Sequence, residues 1–71
     1  MKFKITVTLK AGILDNAGKA VTRALNTMGY DEVNDVRIGK EYYLTCKKKD
    51  IAKIAKSVTN EVMENYIIEK L

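Results

Sequence analysis

Few side chains in this sequence could carry chemistry, and their spacing narrows the choice further. Acid and base work near neutral pH falls mostly to histidine, or to a carboxylate whose surroundings raise its affinity for protons. The chain has no His, and its 9 Asp and Glu are scattered. Asp31 and Glu32 are neighbours, but they stand where a helix exits toward a strand, with no partner group nearby in the sequence. Cys46 ends an alternating apolar run without a His to activate it, so it reads as a small buried hydrophobe rather than a nucleophile. One cysteine excludes an intrachain disulfide, and no Cys/His zinc spacing exists. The expectation is no catalytic residue and no metal ligand.

Two stretches have the look of ligand sites. "LDNAGKA", Leu14 to Ala20, joins a strand to a helix and contains Gly18 and Lys19, yet it lacks the paired glycines and the Lys-Ser/Thr end of a phosphate loop. A helix cap is the plainer reading, although a helix amino terminus also favours anions. "KEYYLTCKKK", Lys40 to Lys49, resembles the aromatic sheet with which RRM modules stack bases. Tyr42 and Tyr43 are adjacent, however, and adjacent strand residues point to opposite faces, so only Tyr43 would be available for stacking. Arg37 is either a solvated strand residue or a fork that meets a carboxylate or phosphate.

The elements that place these residues follow from periodicity. Phe3, Ile5, Val7 and Leu9 alternate with polar residues, the mark of a half-buried strand. A helix is predicted from about Asn16 to Met28, with Asp15 or Asn16 as cap, Ala17, Val21, Ala24, Leu25 and Met28 on one face, and Gly29 as its left-handed end. A second helix is predicted over Ile51 to Asn65, with Ile51, Ile54, Ala55, Val58 and Val62 as its stripe. The end, "YIIEKL", favours a short last strand.

Between the helices, Val36, Ile38, Tyr42, Leu44 and Cys46 all occupy even positions, with Lys40 the one interruption. That phase suits a hairpin whose loop is Gly39 to Glu41, or one long strand bent at Gly39. The order of elements predicts an α+β two-layer sandwich: an antiparallel sheet with two helices on one face, related to the ferredoxin-like arrangement. The other face would carry Lys4, Thr6, Thr8, Arg37, Tyr43, Thr45 and Lys47, and water, a ligand or a second copy must cover it.

With 71 residues the chain is read as a single domain, 1–71, too small for a second core. A chain of this size buries only roughly 60% of its unfolded surface, which makes self-association a natural source of stability. Its 13 Lys and Arg against 9 acids give a formal charge of +4, spread along the chain except at Lys47–Lys49. A dedicated nucleic-acid binder would concentrate that excess, so no nucleic-acid partner is expected. The polar amino terminus is not expected to be a signal peptide, no apolar run is long enough to span a membrane, and a cytoplasmic location is expected.

Three pieces together resemble one family. "VTLKAGILDNAGKAVTRAL", "GYDEVNDVRIGKEYYL" and "NYIIE" look like the PurS family, the small subunit of phosphoribosylformylglycinamidine synthase. Asp35, Val36, Arg37, Gly39 and Lys40 form the most specific part. The sequence departs from the family pattern at Asn16–Ala17, where many members have Pro-Gln, and at Tyr66, where a proline is frequent.

The resemblance implies a non-catalytic accessory subunit in de novo purine biosynthesis. It would join an ATP-dependent synthetase to a glutaminase, and help to guide ammonia between them as formylglycinamide ribonucleotide becomes formylglycinamidine ribonucleotide. It implies a homodimer or homotetramer as well. No cofactor would be bound by this chain, ATP and Mg being used elsewhere in the complex. Carried over by position, Asp35, Arg37, Gly39 and Lys40 are the expected subunit contacts, followed by Asn65 and Glu69, with Tyr43 added from the open face. The alternative is a small ferredoxin-like RNA-binding protein, resting on Tyr43, Lys47 and the positive charge.

Overall fold

A computed structural model describes all residues, Met1–Leu71. Strand β1 (Lys2–Leu9) leads through a turn to helix α1 (Asn16–Thr27), then to β2 (Lys40–Thr45), helix α2 (Ile51–Val58) and β3 (Glu64–Lys70). The sheet order is β2-β1-β3, and both pairings are antiparallel. The alternating strand β1 therefore takes the centre, where its apolar face gains neighbours on both sides. This is the α+β class with an antiparallel sheet and two helices.

The core lies on the odd-numbered face of β1. Phe3, Ile5 and Val7 are buried against Ile51 and Ala55 of α2, with Tyr42, Leu44, Ile54, Val58, Tyr66 and Ile68 packed around them. Ile5 is wholly enclosed, and it pairs with Tyr42 on one side and Ile68 on the other.

Helix α1 is placed differently from the expectation of two helices on one sheet face. It contributes nothing to that core, and Val21 (38%) and Met28 (70%) of its periodic stripe are exposed. The molecule measures 47 × 24 × 13 Å, with a radius of gyration of 15.3 Å. A compact chain of this length would have about 11 Å. The cause is local: α1 is fastened at its amino terminus to residues 36–38, beyond the end of the sheet. The Asp15 carboxylate caps α1 by accepting from Gly18 N (2.7 Å), and its other oxygen accepts from Ile38 N (2.8 Å).

No hairpin forms at Gly39–Glu41. Residues 40–45 pair with β1, not with residues 36–38, and the chain before Lys40 runs on past the end of β1. Gly39 is required by a close approach, since a Cβ there would lie 2.9 Å from the Val7 carbonyl oxygen.

The second helix is shorter than its apolar stripe, ending at Val58 rather than Asn65. Thr59 turns extended (φ −114°, ψ 134°), and Asn60 N donates to Glu64 Oε1 while Asn60 Oδ1 accepts from Val62 N. The side chains of Asn60 and Glu64 thus fix a turn that the spacing of Val58 and Val62 concealed, and Val62 is 81% exposed. The last strand gains Glu64 and Asn65 from the predicted helix.

Candidate functional site

The free face of the sheet and the outer edge of β2 gather most of the residues singled out from sequence. In β1 the even residues point away from α2, and register carries that phase across the sheet. One row runs Tyr43–Lys4–Glu69, the next Glu41–Thr6–Ile67, and Thr8 stands beside Asn65. Tyr43, Asn65 and Glu69 therefore share one face. Asp35, Arg37 and Gly39 lie in the exposed segment ahead of β2. Lys40 is separate: it faces the helix side, where its Nζ lies 4.0 Å from Glu64 Oε2.

The electrostatics of the free face are those of paired surface groups. Lys4 Nζ lies 3.4 Å from Glu69 Oε1, and that carboxylate raises the lysine pKa by hydrogen bond and charge. Tyr43 Oη donates to Glu41 Oε2 (3.0 Å), a bond that raises the phenol pKa because the carboxylate disfavours a phenolate beside it. Ile67 is 62% exposed among these polar groups. Tyr43 is the aromatic of this face, since Phe3, Tyr42 and Tyr66 belong to the helix side, so base stacking would have one platform.

Arg37 is held by main-chain oxygens of its own chain. Its Nη1 donates to Ile13 O (2.8 Å) and its Nη2 to Lys10 O (3.3 Å), which ties the turn after β1 to the segment before β2. A guanidinium has five N–H donors, so these bonds leave others for a neighbour.

Sequence reasoning assigned Asp15 and Gly18 only to a helix cap or a faint phosphate loop, and missed the clasp they make. The Asp15 carboxylate takes the Gly18 amide for itself. Gly18 also abuts the Val36 carbonyl, where a Cβ would collide. A signal existed: glycine inside a helix costs about 1 kcal/mol against alanine, so a glycine in the first turn calls for a reason. Two open clefts of about 330 Å³ each exist; the more polar, lined by Lys10, Lys56, Glu61, Glu64, Asn65 and Tyr66, balances its charges. Cys46 is half-buried beside the core.

Fold and surface together define a class: a small open-faced α+β protein, one sheet layered with one helix, with paired polar groups on the free side. The family model described as PurS, phosphoribosylformylglycinamidine (FGAM) synthase, matches residues 2–71. The phosphoribosylformylglycinamidine synthase subunit PurS of Bacillus subtilis is 43% identical over 70 residues, covering 96% of this chain and 83% of that protein. Its namesake from Synechocystis is 40% identical, over 93% of this chain and 74% of its own length. Among solved structures, B. subtilis PurS superposes with a TM-score of 0.86 at 41% identity, covering 96% of this chain and 94% of that one. PurS of Methanocaldococcus jannaschii gives 0.82 at 25% identity, with 96% and 92% covered. The chain belongs to the PurS family.

Proposed function

We propose that this chain is a non-catalytic accessory subunit of phosphoribosylformylglycinamidine synthase, acting in purine biosynthesis. The observation that carries the proposal is the family match over residues 2–71, reinforced by relatives named as subunits of that synthase. The M. jannaschii neighbour is described as one of the subunits of formylglycinamide ribonucleotide amidotransferase in the purine biosynthetic pathway. In this reading the chain joins an ATP-dependent synthetase to a glutaminase, in the cytoplasm, as a homodimer or homotetramer. Glutamine supplies ammonia, which the assembly guides to formylglycinamide ribonucleotide. ATP and Mg are bound by the synthetase, and this chain holds no cofactor of its own.

The free sheet face with Tyr43, Asn65 and Glu69, and the segment with Asp35, Arg37 and Gly39, are the surfaces assigned to subunit contact, with Lys40 a separate contact on the helix side of β2. Reconstitution tests the reading. The synthetase and glutaminase are combined with and without this chain, and glutamine-dependent turnover and co-elution are measured. The expected result is turnover that requires the chain and a complex that contains it. Turnover indifferent to the chain, with no co-elution, would overturn the proposal.

A further inference from the structure

The positive charge of the chain has one address. Residues 47–58, which contain a 3₁₀ turn (Lys48–Asp50) and α2, hold five lysines and a single acid, Asp50. That excess equals the formal +4 of the whole chain, because the eight basic residues elsewhere are matched by eight acids. Folding then brings these lysines to one side. Helix α2 turns Ile51, Ile54, Ala55 and Val58 to the core, and at about 100° per residue Lys53 and Lys56 fall on the opposite, outer face. Lys49 stands about one turn before Lys53, with Lys47 and Lys48 next to it, and all five are exposed. None makes an ion pair: the salt bridges are Lys4–Glu69 and Lys40–Glu64. Lys10 joins the row at the end of α2, where it lines one cleft with Lys56, and Glu61 and Glu64 border that cleft and end the row.

We propose that the outer face of α2 docks a carboxylate-rich surface of a partner subunit, a protein other than this one. Charge complementarity identifies the occupant. A second copy is excluded, since a symmetric contact here would set the two lysine rows against each other. Nucleic acid is disfavoured by what the face lacks. It carries no arginine for forked phosphate contacts, and the exposed tyrosines, Tyr30 and Tyr43, lie after α1 and on the free sheet face, so there is no stacking platform beside the lysines. Acidic side chains need neither. Lys49, Lys53 and Lys56 advance by about one helical turn per step, the spacing at which a facing helix presents carboxylates at i, i+4 and i+7. Flexible, exposed ammonium groups of this kind act mainly by drawing an oppositely charged surface into encounter, so the association rate carries the effect and salt suppresses it.

This rests on the adaptor reading of the proposed function and deepens it. The test measures association of the full chain with the reconstituted synthetase and glutaminase at low and high salt, with circular dichroism confirming the fold of each variant. Two double variants remove the same charge from two helices: Lys53→Gln with Lys56→Gln on α2, and Lys19→Gln with Arg23→Gln on α1. Glutamine matches lysine and arginine in helix propensity, and all four side chains are exposed, so folding should be unaffected. The α2 variant is expected to bind about fivefold more weakly at low salt, chiefly through a slower association, with the difference vanishing at high salt. The α1 variant should bind as the wild type does. An α2 variant that binds normally, or an equal loss in both variants, would overturn the proposal and leave the synthase reading standing. An oligouridine that binds the wild type at physiological salt and not the α2 variant would assign the row to nucleic acid and overturn it too. A wild type that joins neither subunit would remove both readings together.

Discussion

The Asp15 carboxylate and the Ile38 amide, 23 residues apart in sequence, are joined by a 2.8 Å hydrogen bond that fixes where α1 leaves the sheet. The other carboxylate oxygen caps α1 through Gly18 N, so one side chain sets both the start of the helix and its direction. Asp15 is only 7% exposed, which removes water as a substitute acceptor. Asp15→Ala is expected to lower the thermal midpoint by roughly 5–10 °C, measured by circular dichroism. A midpoint unchanged within a degree would mean that the clasp contributes nothing.

The same carboxyl should leave a mark on acid stability. The Ile38 amide first, then that of Gly18, hold its pKa below the ordinary value of 3.8. The folded pKa lies below the unfolded one, so the stabilisation is complete above the unfolded value and disappears as pH falls through the folded value. Urea midpoints measured from pH 5 downward should therefore decline more steeply for the wild type than for Asp15→Asn. Parallel curves would contradict the assignment.

Gly18 should resist even the smallest side chain. A Cβ there meets the Val36 carbonyl, so α1 or residues 36–38 must shift. Gly18→Ala is expected to destabilise by about 1–3 kcal/mol in urea unfolding, although alanine is the better helix former. A gain in stability would show that the approach is looser than described.

Two apolar residues that periodicity treats alike should behave very differently. Ile5→Ala opens a cavity at the centre of the core and should cost about 2–5 kcal/mol. Val62→Ala, at an 81% exposed position, should stay within about 0.5 kcal/mol. Chemical denaturation of both variants would test the helix boundary at Val58.

What could be read from sequence was what local pattern dictates. The alternation of β1, a cap at Asp15 or Asn16, of which the structure uses Asp15, and the left-handed end at Gly29 (φ 102°) all depend on neighbouring residues. The second helix was overextended because Val62 continues its stripe, while the side-chain bonds of Asn60 and Glu64 that end it have no periodic signature. The position of α1 was hidden for another reason. Amphipathic spacing shows that a helix has an apolar face, not which chain supplies the cover. Of the candidate residues, Tyr43, Asn65 and Glu69 follow simply from strand phase. The bonds of Arg37 to Lys10 and Ile13 span 27 and 24 residues and could not be read from its own segment.

The stand-off of α1 bears on how the protein responds to dilution. The half containing β1 and α2 carries its own core, whereas the apolar stripe of α1 is left outside it. If a second copy shelters that stripe, the two halves have separate thermodynamics: one governed by temperature and denaturant alone, the other also by concentration. Order in α1 then becomes a measure of assembly, rising and falling with subunit concentration while the sheet beside it stays intact.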